Sequence, residues 1–407
     1  MTEVLYFVGI HSRALNERKY WQNVGGKDLA FWTKNSLFKY RYIICSYPYY
    51  SGLMGVRRDD LRKELDIDDD IVIFVDSGGF TFASVGQDVD VEAYAHWCNR
   101  NSIDFCINPD VPVSVTYQGV IDRFSGERSE QFVKKAMKTY DRTKLFLNKL
   151  DDNIKVFLAL HGGGIKELEL WWEYAIEPFL DRAYGIAFAP HPYRYLSLQL
   201  LWLIENFNTI RNIHMLGVSS SVGVLAYLIA KLFPGKFDMI GFDSATPHKA
   251  SARARFIIPY TCEFIDFGLR GKRSWSCDEI PKERICECPV CNYWVSRHPY
   301  ELLLRPDDFE SYQCLALHNQ WALSKFYALA QANPKMVASK LLRRNSKLFV
   351  LWYYFSYGLR HGLQRLEEIY AQDESSYNQS RKYESYYRKM VKRKRLLRET
   401  KDLSKFL

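Results

Sequence analysis

Eight short runs of β-branched and aromatic residues alternate with longer stretches in which apolar residues keep helical spacing, and this alternation constrains the fold more than any other feature. The runs are VLYFVG (4–9), YIICSY (42–47), IVIFVD (71–76), DFCINP (104–109), VFLALH (156–161), YGIAFA (184–189), IHMLGV (213–218) and MIGFDS (239–244). Helical stretches lie between them, including 91–101, 129–150, 167–183, 198–207 and 224–233. Repeated strand–helix units place their strands side by side and their helices on the outside. Eight of them predict an α/β fold of the (β/α)8 TIM barrel type.

After Asp243 the pattern changes. Residues 246–285 are basic, aromatic and irregular, and they lead into a cysteine cluster and two further helical stretches. The expected division is a catalytic barrel over 1–250, a basic insert plus zinc-binding subdomain packed on it over 251–345, and a helical basic C-terminal segment over 346–407. A chain of 407 residues accommodates one barrel with such appendages. Its 47% apolar and 25% charged residues match a globular protein with a large core and argue against disorder.

Charge is uneven. The net charge is +9, and from Arg381 to Leu407 eleven lysines and arginines face only Glu384, Glu399 and Asp402. Such a block favours a polyanionic partner, although a solvated helix face or tail has the same composition. The run MTEVLYFVGIHSR lacks a basic leader and a cleavage site, and no apolar stretch reaches bilayer length. The expectation is a cytoplasmic protein without a membrane partner.

Nine cysteines form no even framework, and three of them crowd into Cys286-x-Cys288-x-x-Cys291. With His318, three thiolates and one imidazole make a closed tetrahedral zinc site of the structural kind, in which no position remains for a catalytic water. His298 and Cys314 are the rival fourth ligands.

Strand ends carry the other signal, because residues at the carboxyl ends of barrel strands face the active-site mouth. Asp76 closes the third run and precedes Ser77, Gly78 and Gly79; Asp110 follows the fourth in INPDVP; Asp243 closes the eighth. Any one aspartate there also reads as a helix N-cap. Three on one rim favour a site. His161 ends the fifth run before Gly162, Gly163 and Gly164, a phosphate-binding turn or simply a flexible loop. Gly217 and Ser219 to Ser221 leave small residues where a planar ligand can approach the backbone. Two carboxylates suit glycosyl chemistry: one attacks the anomeric carbon and the other manages the proton of the leaving or entering group. A third, Asp110, suits the donor edge of guanine.

The elements VDSGGF, NPDVP, MLGV, GFDSATP and CECPVC followed by His318 resemble, in order, the tRNA-guanine transglycosylase superfamily, from about the third strand to the helix after His318. The resemblance implies that Asp243 is the nucleophile, Asp76 the general acid or base, and Asp110 the base-recognising aspartate. It places Ser77, Gly78 and Gly79 in the base-pocket loop, His161 and Gly217 among the substrate contacts, and structural zinc on Cys286, Cys288, Cys291 and His318.

The departures are specific. TPHKASARARF stands where the tRNA enzymes continue Pro-Thr-Arg, FAPHPY replaces a glycine-rich segment, His161 stands where glutamine is common, and no PUA-type domain is recognisable. The pattern is more similar to the branch that inserts 7-deazaguanines into DNA. That similarity implies DNA as the nucleic-acid partner, with tRNA as the alternative, and a free 7-deazaguanine such as 7-cyano-7-deazaguanine as the incoming base. It also raises a partner ATPase and a homodimer. A catalytically inactive partner subunit is the remaining reading, against which both Asp76 and Asp243 are retained.

Overall fold

The computed structural model describes residues 2–10, 27–54, 57–113, 127–188, 195–218, 221–267, 283–304, 308–342 and 346–370. The eight runs form eight parallel strands: β1 (Glu3–Gly9), β2 (Tyr42–Ser46), β3 (Val72–Asp76), β4 (Phe105–Ile107), β5 (Lys155–Leu160), β6 (Ala183–Phe188), β7 (Asn212–Met215) and β8 (Met239–Ser244). They pair in chain order and close between β8 and β1, where Glu3 lies opposite Met239 and Val8 opposite Ser244. The expected barrel is therefore observed, with strand ends within a few residues of those read from the sequence.

Strand alternation divides the core in two. Inward-facing Leu5, Phe7, Phe74, Phe105, Phe157 and Met239 fill the barrel, with Phe7 and Phe74 edge to face at 5.1 Å. The outward-facing apolar residues join the helices in a second, larger cluster. Rings packed in this way leave no pore; truncating Phe74 to alanine would cost about 4 kcal/mol.

Helix Val91–Arg100 begins where Asp90 accepts a hydrogen bond from Ala93 N, and the long helix Phe309–Ala332 begins with a capping box between Asp308 and Ser311. The stretch 167–183 is less regular than its spacing predicts. An α-helix spans Ile165–Trp171, a π-turn follows over Trp172–Ile176, and a 3-10 turn over Glu177–Phe179 contains Pro178, which lacks the N–H needed to continue.

Beyond the barrel, β9 (Arg255–Ile257) and β10 (Phe264–Asp266) form an antiparallel pair. The described part of the C-terminal segment lies against the barrel's helical layer: Ser197 Oγ donates to Leu351 O at 2.9 Å, and Gly358 sits so close to Leu201 that a Cβ there would meet it at 2.5 Å. Residues 381–407, with their basic block, lie outside the described residues, as do Ser219 and Ser220. Among the described residues no helix is long and apolar enough to cross a membrane.

Candidate active site and metal centre

The three aspartates sit at or just beyond the ends of their strands, and none of them caps a helix among the described residues. Helix Gly79–Ser84 starts at Gly78, and helix Thr246–Ser251 at Ala245, both without a side-chain cap. Each carboxylate is instead turned to other donors. Asp76 Oδ1 accepts from Gly78 N at 3.1 Å and Oδ2 from Ser46 Oγ at 3.2 Å. Gly78 holds a left-handed backbone with φ 72°, and a Cβ at this position would strike the Pro48 ring at 2.2 Å, so the turn that delivers its N–H requires glycine.

Asp110 is buried. Its Oδ1 accepts from Ser77 Oγ at 3.3 Å, and its Oδ2 lies 2.7 Å from His161 Nε2. The His161 ring meets Trp171 edge on at 4.6 Å, and Trp171 Nε1 is anchored on Ala159 O. Gly79 packs directly on Asp110, leaving 3.0 Å between its notional Cβ and Oδ1. The β3 and β4 loops thus form one unit.

Asp243 Oδ1 receives two hydrogen bonds, from Gly217 N at 2.9 Å and from His214 Nε2 at 3.1 Å. Among the described residues no hydrogen bond reaches Oδ2. His214 lies on β7 inside the barrel and has no exposure, and its imidazole rests on Phe74, Phe7 and Phe157 at 4.4, 5.4 and 6.2 Å. Burial outweighs the neighbouring carboxylate and pushes its pKa down, so the ring is neutral.

Asp76 titrates differently. Burial raises its pKa to about 6 against the lowering effect of the Gly78 N–H, and the negative charges of Asp110 and Asp243 add to the rise. Asp76 therefore feels the other two carboxylates across the barrel mouth. Near neutral pH Asp76 exchanges a proton readily, as a general acid or base requires.

The glycine turn after His161 is not a phosphate cradle. Gly163 N donates to Glu167 Oε2 and Ile165 N to Glu367 Oε1, both at 2.7 Å. Carboxylates already occupy those amides, one of them contributed from the C-terminal region. A pocket of about 510 Å³ opens beside Gly79, Val111, Pro112 and Arg142, and none of the three aspartates lines it.

Cys286, Cys288, Cys291 and His318 are all buried, with donor atoms within 4.8 Å of one another. Around zinc, bond lengths of about 2.3 Å to sulfur and 2.0 Å to nitrogen place ligand atoms roughly 3.5–3.8 Å apart. His318 Nδ1 lies 3.2 Å from Cys288 Sγ and 3.5 Å from Cys291 Sγ. The rival ligands are elsewhere: His298 lies 3.8 Å from Glu310, and Cys314 is buried outside the cluster.

The surroundings favour a cation. Hydrogen bonds with Cys288 and Cys291 hold the Cys286 thiol far below its usual range, while those with Cys286 and Cys288 push Cys291 far above it. A metal cation bound among the three sulfurs would hold all of them as thiolates. Cys288 Sγ accepts from Cys291 N, and Cys286 Sγ from Cys288 N. His318 Nε2 faces Ile257 O at 3.0 Å, which orients Nδ1 toward the sulfurs. The residues fit a bound metal ion.

Asn319 joins the two centres. Its Oδ1 accepts from Ile257 N at 2.8 Å, and its Nδ2 donates to Ser251 Oγ and Arg255 O, both at 3.0 Å. Ser251 ends the helix that follows Asp243 on the chain. Sequence reasoning missed His214, Ser46 and Asn319. For His214 the available signal was a polar residue on the inward face of an otherwise apolar strand; for Asn319 it was only adjacency to His318.

No family model matches this chain, and no curated protein matches it.

Proposed function

We propose that the chain is a pentosyltransferase that exchanges a purine base on a nucleic acid, replacing guanine in DNA with a 7-deazaguanine. One observation carries the reading: three carboxylates share the carboxyl rim of a closed barrel, one with an uncommitted oxygen and another with its pKa lifted to about 6. The order of motifs that resembles the tRNA-guanine transglycosylase superfamily supports the same chemistry.

In the first half-reaction Asp243 Oδ2 attacks C1′ as the bond from C1′ to guanine N9 breaks, and protonated Asp76 supplies the proton the departing base needs. In the second, Asp76 removes the proton from N9 of the incoming base, N9 attacks C1′, and the ester bond to Asp243 breaks. Asp110 accepts hydrogen bonds from the donor edge of the base. The cysteine cluster holds zinc in a structural role, since four protein ligands leave no open position. A target inside a duplex must first leave the stack.

The test is incorporation of labelled guanine or 7-cyano-7-deazaguanine, with duplex DNA and bulk tRNA supplied side by side. Label in DNA supports the reading, label in tRNA alone moves it to the RNA branch, and label in neither returns the barrel to an inactive subunit or one lacking its partner. Deleting residues 381–407 should weaken binding and flatten its salt dependence, because fewer phosphates are neutralised; an unchanged slope removes the tail from the interface.

A further inference from the structure

His214 occupies an unusual position for a polar side chain, inside a barrel filled by apolar residues, Phe7, Phe74, Phe105 and Phe157 among them. Its backbone lies opposite Gly241 in the β7–β8 register, and Gly241 and Asp243 face the same way on β8. The absent side chain of Gly241 provides the space for the imidazole: a Cβ there would meet His214 Nδ1 at 2.5 Å. Nδ1 is buried and has no hydrogen-bond partner among the described residues, whereas Nε2 points at Asp243 Oδ1. A proton on Nδ1 would leave an unsatisfied buried N–H and set the Nε2 lone pair against a carboxylate oxygen, so the proton belongs on Nε2.

We propose that His214 is a positioning residue for Asp243, its Nε2–H and the Gly217 N–H together fixing Oδ1 so that Oδ2 is aimed at the sugar. This rests on the transferase reading above and deepens it. No proton passes to or from His214 in either half-reaction. Oδ1 keeps both donors as the carbonyl oxygen of the ester, and the same donors receive the charge when the ester breaks. The three phenylalanines make the orientation rigid, and the space beside Gly241 exists only because that residue is glycine.

Two variants separate positioning from packing. His214→Met fills the site without a donor; His214→Gln returns an amide N–H at similar reach. Single-turnover adduct formation should fall about 100-fold in the methionine variant, the size expected of a misplaced reacting group, with KM for the base changed less than about threefold. The glutamine variant should recover most of the rate. Equal loss in both, or no loss in His214→Met, overturns the proposal. Histidine 15N NMR judges the pair without turnover: the wild type should show the Nε2–H tautomer at His214, with a signal that moves in Asp243→Ala. An Nδ1–H tautomer, or indifference to Asp243, overturns the proposal even if no nucleic acid reacts. If the NMR result holds while Asp243→Ala still forms an adduct, it is the transferase reading that fails.

Discussion

The barrel rim and the cysteine cluster both crowd groups that become negative, and they relieve the repulsion in opposite ways. At the rim the carboxylates are spread over three strand ends and each is satisfied by local donors: Gly78 N and Ser46 for Asp76, Ser77 and His161 for Asp110, Gly217 N and His214 for Asp243. Among the described residues one oxygen of Asp243 stays uncommitted, and the carboxyl of Asp76 is left easy to protonate. In the cluster four buried donor atoms lie within 4.8 Å of one another, and a bound cation would balance the charge on the sulfurs. On the proposed reading the rim holds an oxygen and a proton in reserve, whereas the cluster would commit all four of its donors to a metal.

Breaking the reactive side should have the largest effect. On the proposed mechanism Asp243→Ala removes the attacking oxygen, and base exchange and the covalent adduct should fall by at least about 10⁴-fold, read by denaturing gel of enzyme with nucleic acid. An adduct that survives means another group attacks.

The structural side comes next. Cys288→Ala removes a sulfur that contacts His318 and accepts from Cys291 N. Metal content should drop to background and the unfolding free energy by several kcal/mol. Full metal retention on elemental analysis would contradict the ligand set.

Asn319→Ala tests whether the two regions are joined. It leaves Ile257 N and Arg255 O without their buried partner, and stability should fall by about 3 kcal/mol. If Asn319 only packs, chemical denaturation should show a loss below about 1 kcal/mol.

Asp76→Asn sharpens the contrast with the opposite sign. Because the folded-state pKa of about 6 lies above the ordinary 3.8, the contribution of Asp76 to stability is present below pH 4 and is lost as pH rises through 6. At pH 7 the buried charge is a net cost, so the asparagine variant should be more stable by about 3 kcal/mol there and close to wild type below pH 4. The same variant should exchange base poorly. In the wild type the first half-reaction should slow about tenfold per unit above pH 6, as protonated Asp76 disappears. A flat profile would remove Asp76 from the acid role.

The barrel was legible because its strands are local: a five- or six-residue run such as IVIFVD is apolar on both faces only if both faces are buried, and eight such runs admit few other arrangements. The metal ligands were legible for a related reason, since three of the four lie within six residues of one another. The spacing of 167–183 was less reliable, because Pro178 and the π-turn reshape a helix whose apolar periodicity continues past its end.

The amino-acid sequence by itself determined which residues end the strands, and hence that Asp76, Asp110 and Asp243 share a rim, because side-chain alternation and strand order are properties of the chain. Tertiary structure alone decided which atoms those carboxylates meet. His214 reaches Asp243 only through the register that sets it beside Gly241. Glu367 closes the glycine turn from 202 residues away, removing the phosphate-binding alternative that the three glycines left open. Asn319 became a bridge only when the helix after Asp243 packed against the one carrying His318. Hydrogen bonds of this length depend on positions fixed to a fraction of an ångström, and long-range packing supplies that precision where residue type and spacing do not.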